Sequence, residues 1–380
     1  VSVDTSRTSL TDTGGTIRFG KNAGKPGKKG QILRFETGVT VRSPELELND
    51  IGFMLTANEI NHWTWVGLHY QRPFSFFRNA RLNYNHWFRW DFGGQLLYEQ
   101  FNVNSHATFR NNWQSGTGVT WNPYDVSNTA LRGAGSLRRP PGIGWTYYVN
   151  SDYRKKVYAS VNLFKWWGFD NSMIINSAGL TVNLVPMNAL KLSIGVNYNY
   201  NWRRQDQFVE SATYNNKQRT IVGEVDQTTL RFTGRLSYNI TPDLTIQYYG
   251  QPFITRPEYR NFAWVSNPLA KDLDDRFTKF TPAQISFNND TYLVDEDKDG
   301  NTDYSFGKPD FNFVQFRSNL IIRWEYKPGS EFYLVWSQGN TPDAFGDLDS
   351  PITSSLFKNA FSGGNARNIF LVKWTYRFLK

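Results

Sequence analysis

The chain has 380 residues, a formal net charge of +9, no cysteine, and aromatic residues at 17% of its positions. Without cysteine there is neither a disulfide framework nor a thiolate metal site. Lys and Arg are dispersed, and the dense cluster at Lys21 to Gly30 is Gly-rich and turn-like, with no recognisable nucleic-acid-binding motif, so no nucleic-acid partner is expected.

No apolar run approaches the roughly 18 residues of a transmembrane helix. A mean hydropathy of −0.55 still admits a membrane β-barrel, whose strands turn only alternate residues to lipid. The chain begins at Val1 without Met or a signal peptide, so an exported protein is expected here as a mature or truncated product.

Alternation with period two dominates the chain. In order, alternating segments centre near residues 17, 36, 54, 66, 85, 98, 112, 146, 159, 178, 196, 233, 250, 318, 335 and 374, predicting about sixteen strands. From Leu190 to Trp202, Leu192, Ile194, Val196, Tyr198 and Tyr200 share one face, opposite Lys191, Ser193, Asn197 and Asn199. From Thr229 to Tyr249, Leu230, Phe232, Leu236, Leu244, Ile246 and Tyr248 oppose Arg231, Arg235 and Gln247 across a turn at Thr241 to Asp243. The segments around 318 and 335 repeat the pattern about a turn at Lys327 to Ser330, and Phe370, Val372, Trp374, Tyr376 and Phe378 end the chain on one face.

A soluble sandwich also alternates, so strand length and aromatic placement decide. Many segments run about ten residues or more, enough to cross a tilted bilayer, where ordinary strands average five or six. Tyr and Trp gather toward strand ends, at Tyr198, Tyr200, Trp202, Trp324, Tyr326, Trp374 and Tyr376, as in the girdles of a membrane barrel. The fold expected is therefore all-β, a transmembrane antiparallel β-barrel in the bacterial outer membrane. Short connections at 150–154, 185–188, 241–243 and 327–330 alternate with long ones near 119–141, 203–225, 257–309 and 339–366. The long ones are expected to be extracellular, leaving Lys380 in the periplasm.

The polar face supplies the candidate lumen. Lys191, Arg231, Arg235, Arg317, Arg323, Glu325 and Arg377 are predicted to line it, with Arg34, Arg81, Arg89, Arg110, Lys156 and Lys373. Such a lining favours anionic solutes or oligosaccharide fragments; the plainer reading is a ladder of Arg–Glu and Arg–Asn pairs that stiffens the wall. Trp121, Tyr124, Trp145, Phe262 and Trp264 fall in the expected loops, where they would stack on sugars or pack the loops into a plug. His62, His69, His86 and His106 show no metal-ligand spacing, and neither G-x-S-x-G nor H-E-x-x-H occurs, so no catalytic residue is assigned.

One loop motif stands out. Asp295, Asp297, Asp299 and Gly300 open a D-x-D-x-D-G loop, but Phe306 stands where an EF-hand needs its bidentate Glu. Asp295, Asp297, Asp299, the Asn301 carbonyl and Asp303 remain candidate ligands for a structural Ca2+ that would stiffen the loop; a solvated acidic turn is the alternative.

Four stretches carry a family resemblance: "LNDIGFM" (Leu48 to Met54), "LRGAGSLRRPP" (Leu131 to Pro141), "NSDYRKK" (Asn150 to Lys156) and "KPDFNFVQFRSNLIIRWEYKPGSEFYLVWSQ" (Lys308 to Gln338). On these the chain resembles the C-terminal barrel part of a Bacteroidota outer-membrane β-barrel family of unassigned role. The resemblance implies an upstream carbohydrate-binding module similar to family 9 and further upstream barrel strands, neither of which this sequence contains. The function expected is transport, surface binding or assembly at the cell surface, with outer-membrane lipid, an oligosaccharide or anionic solute, and envelope proteins as partners. The alternatives are a non-conducting structural or binding subunit of an envelope complex and a glycan-processing surface protein.

Overall fold

The computed structural model describes residues 12–378 apart from 28–29, 50–51, 55, 344–346 and 363–365. Its strands, in chain order, are β1 (Gly14–Lys21), β2 (Gln31–Arg42), β3 (Glu59–Tyr70), β4 (Phe77–Trp90), β5 (Leu96–Phe109), β6 (Gln114–Ser127), β7 (Leu137–Arg139), β8 (Gly142–Asn150), β9 (Val157–Gly168) and β10 (Ile174–Met187). They continue with β11 (Leu190–Tyr214), β12 (Lys217–Asn239), β13 (Leu244–Val265), β14 (Phe277–Lys279), β15 (Ile285–Asn288), β16 (Thr291–Val294), β17 (Tyr304–Gly307), β18 (Phe313–Lys327), β19 (Ser330–Asn340) and β20 (Arg367–Trp374). A single α-helix among the described residues, α1 (Ile352–Ala360), precedes the last strand.

One sheet holds 17 of these strands; β7 and β14 are three-residue side arms of it, leaving fifteen that pair with their sequence neighbours. Every pairing is antiparallel, from β1 with β2 to β19 with β20. The sheet is thus an up-and-down meander. Among the described residues no ladder joins β1 to β20, so the closed barrel expected from sequence is not observed. Because direction alternates and the count is odd, these two edge strands run parallel to each other.

Register explains the two faces. Directly paired residues share a face, so one row runs Tyr84, Val103, Val119, Trp145 and another Leu180, Val196, Phe232. Outside the patch under α1 described below, this apolar face exposes large side chains on strands from β1 to β20, among them Ile17 (83%), Leu82, Val103, Ile194, Trp324 and Val372. The opposite face is a hydrogen-bonded polar lattice. Trp65 Nε1 donates to Asn83 Oδ1 at 3.1 Å, Asn83 Nδ2 to Asn104 Oδ1 at 2.7 Å, and Asn102 Nδ2 to Thr120 Oγ1 at 2.8 Å. His69 and His106 belong to this face and His62 and His86 to the apolar one.

Several expected boundaries move. No strand forms among the described residues near 54, and the segment centred at 112 falls on the tight turn at 110–113 before β6. The stretch 203–225 is not a loop: β11 and β12 run straight through it to a two-residue turn at Asn215 and Asn216, both with positive φ. Residues 119–127 lie in β6, 137–139 in β7 and 257–265 in β13. Trp121, Tyr124, Trp145, Phe262 and Trp264 are accordingly strand residues, with Phe262 buried. Lys380 lies outside the described residues.

The connections at 71–76, 110–113, 151–156, 188–189, 240–243 and 328–329 share one end of the meander. At the other end the long strands β11 to β13 overrun their neighbours and both of their faces are covered. Six consecutive residues, Thr220 to Val225, are buried. On one side Ile221 and Phe262 pack with Val294, Tyr304 and Phe306 of a separate three-stranded sheet, β15–β16–β17. On the other, Val222 and Ala263 pack with Leu131, Leu137, Leu273 and Phe277. Helix α1 covers the apolar face where Leu356 and Ala360 bury against Leu230, Ile254, Val314 and Phe316. Each such large side chain taken out of water contributes about 1.5–3 kcal/mol, so this end has a conventional core that the rest of the sheet lacks.

Candidate functional site

The polar face of β10 to β20 is the candidate site, and strand register assembles it. One row runs Asn183, Ser193, Arg235, Tyr249, Asn319, Ser337; the next runs Lys191, Ser237, Gln247, Ile321. Side chains on adjacent strands stand close enough to interact directly, so the rows form one continuous surface. All of these residues but Ser337 line a cavity of about 580 Å³.

The cations of this surface fall into two groups. Arg323 donates from Nε to Glu331 at 3.0 Å and from Nη2 to Glu325 at 3.2 Å, a compensated cluster beside the turn at 328–329. Arg231 donates to Asn197 Oδ1 at 2.7 Å, matching the expected Arg–Asn pairing. Arg235 and Lys191 differ, since among the described residues neither has a carboxylate in ion-pair reach. Each cation lies over a ring instead, Arg235 4.8 Å from the centre of Tyr249 and Lys191 5.7 Å from Tyr158. Arg317 borders a separate cavity with Gly339 and Arg367. Arg377, expected on the same face, lies beyond the end of β20: its backbone N–H donates to Ser330 Oγ at 3.0 Å and its side chain lies beside Gly329 of the turn between β18 and β19. Arg110 and Lys156 likewise fall in turns rather than on the wall.

The Asp-rich loop joins β16 to β17. Ligand oxygens of Asp295, Asp297 and Asp303 lie within 4.8 Å of one another. Asp299 is not in this group. Its carboxylate accepts the Asn301 backbone N–H at 2.8 Å and side-chain amide at 3.1 Å, and those bonds hold its pKa below the usual carboxylate value. Both bonds use Asn301 N–H groups and leave its backbone carbonyl, the expected ligand atom, out of the contact. Gly300 takes φ +92, a left-handed turn that only Gly adopts freely, and donates its N–H to Asp295 Oδ2 at 2.9 Å.

Sequence reading missed four charged groups that organise the same end. Glu296, within the Asp-rich loop, receives Arg219 and the Tyr304 hydroxyl, the latter at 2.8 Å. Burial works against its charge, but those donors outweigh it and lower the pKa. Arg276 is fully buried and donates to the carbonyls of Ala270, Arg138 and Lys271 at 2.8, 3.0 and 2.6 Å. Arg256 clasps the carbonyls of Asp347, Leu348 and Ser350 at 2.9, 2.8 and 2.8 Å, holding the segment before α1. Their partners are distant in sequence, so no local motif announces them.

These features define an all-β protein built on one large antiparallel meander, with an exposed apolar face and a hydrogen-bonded polar face. A family profile described as a domain of unknown function, DUF5916, matches residues 3–378, and the chain belongs to that family. No curated protein matches the chain.

Proposed function

We propose that the chain forms the wall of an outer-membrane β-barrel whose apolar face meets lipid and whose polar face lines a passage for anionic solutes or oligosaccharide fragments. The observation that carries this reading is the exposure of large apolar side chains on one face of the sheet outside the patch that α1 covers, Ile17, Leu82, Ile194 and Trp324 among them. In water that surface would far exceed the few hundred Å² of apolar patch a soluble monomer tolerates; in a bilayer it is the ordinary outer surface of a barrel. The cationic, hydrogen-bonding character of the opposite face supports the solute class.

A bilayer does not tolerate a lipid-exposed edge. The edges β1 and β20 are the places where further strands or an envelope partner would pair. Since they run parallel, an odd number of added strands restores antiparallel closure. The resemblance to an outer-membrane family of Bacteroidota adds a carbohydrate-binding module and a cell-surface location to the proposal, and the glycan-processing alternative rests on that resemblance alone. Asp295, Asp297 and Asp303 form the proposed Ca2+ brace, since three clustered carboxylates suit an oxygen-seeking cation.

Reconstitution of the purified protein into planar bilayers tests the function. An anion-selective conductance is the expected result. Membrane insertion with no conductance would favour the non-conducting structural subunit, and a protein that stays in water without detergent would overturn the membrane reading.

A further inference from the structure

We propose that the polar face carries a binding site for an acidic sugar, with Arg235 and Lys191 receiving its carboxylate. The inference deepens the passage reading above, since it needs this face to meet water. Three observations support it.

The cavity is of ligand size, about 580 Å³, within the range of small-molecule sites. Its lining includes both cations and no Asp or Glu. The neighbouring row shows what compensation looks like on this sheet, with Arg323 held between Glu325 and Glu331. Among the described residues nothing comparable neutralises Arg235 or Lys191. Their contacts with Tyr249 and Tyr158 restrain the side chains without cancelling their charge.

The rest of the lining selects among anions. Asn183, Gln247 and Asn319 present amides, and Ser193 and Ser237 hydroxyls, on the strands flanking the cations. Amides and hydroxyls both donate and accept, as sugar hydroxyls require. The guanidinium fork of Arg235 matches a carboxylate in two parallel hydrogen bonds, and the Lys191 ammonium adds a point charge. A small inorganic anion would engage the cations and leave the amides unused. A neutral sugar would engage the amides and leave the cations unused. An acidic sugar engages both.

Isothermal titration calorimetry on the detergent-solubilised protein tests this without requiring conduction. The probes are digalacturonate, its neutral counterpart galactobiose, and inorganic phosphate. Digalacturonate is expected to bind at least about tenfold more tightly than either of the others, the worth of one charge-assisted contact. Arg235→Gln and Lys191→Gln are each expected to lose about that factor, while Lys279→Gln, which removes a charge in the distant connection, leaves binding unchanged. Should Arg235→Gln fail to fold, Arg235→Lys serves instead, keeping the charge but losing the fork and hence part of the affinity. Equal binding of galactobiose or phosphate, or full affinity in both Gln variants, overturns the site. Conduction without selective binding refutes this proposal alone, and binding without conduction refutes the passage alone.

Discussion

Arg219 and Glu296 form a fork-like pair: Arg219 Nε reaches both carboxylate oxygens at 3.0 Å and Nη2 one of them at 2.7 Å. The pair ties the Asp-rich loop to the tall hairpin β11–β12. Both side chains are largely buried, 13% and 12% exposed, so solvent screens the interaction little. The Asp-rich loop is therefore anchored by a residue that is not one of its candidate ligands.

The first prediction concerns pH. The pKa of Glu296 is lowered from its ordinary 4.5, so the pair's contribution is fully present above about that pH and is lost as pH falls through the lower folded value. The connection 281–309 is expected to become sensitive to pepsin as the pH drops below 4.5. Glu296→Gln should weaken the docking of β15–β17 by about 2 kcal/mol at neutral pH and remove that pH dependence. Unchanged pepsin sensitivity between wild type and variant would count against the anchor.

The second separates membrane from water. Ile194 is 65% exposed on the apolar face. In a soluble protein Ile194→Arg at so open a site would change stability by no more than about 0.5 kcal/mol. Facing lipid near the bilayer midplane, it should cost about 2–4 kcal/mol. Denaturant titration of folding into lipid vesicles measures the difference.

A third prediction addresses the metal. Asp303→Asn is expected to abolish calorimetric Ca2+ binding, and Asp299→Asn to leave it nearly intact, because Asp299 is turned toward Asn301. Loss of binding in both variants would restore Asp299 to the ligand set, and no heat from the wild type at millimolar Ca2+ would remove the site.

The fourth tests the polar lattice. Asn83 is buried and links Trp65 to Asn104. Asn83→Leu leaves the Trp65 indole N–H without its acceptor and Asn104 with His106 and Asn102 alone, and is expected to cost about 1–3 kcal/mol, read as a lower temperature for loss of the folded band in detergent gels.

What was legible in the sequence is the division of faces. Side-chain direction along a strand alternates through backbone geometry alone, so Lys191, Arg231, Arg235, Arg317 and Arg323 were assigned to one face without knowing any partner. The antiparallel meander follows from the same periodicity and its turns. The reach of β11, β12 and β13 was not legible, because alternation fades where Thr220 to Val225 bury both faces.

Tertiary structure decided the rest, and the physical reason is separation along the chain. Arg219 and Glu296 are 77 residues apart, and Arg276 and the Arg138 carbonyl 138. Whether an Arg is a clasp, a compensated pair or an uncompensated charge depends on groups so distant that no local pattern encodes them. The same holds for Arg377, whose side chain lies beside Gly329 of the turn at 328–329. The alternating backbone determined which way each side chain points; only the folded sheet decided what it meets there.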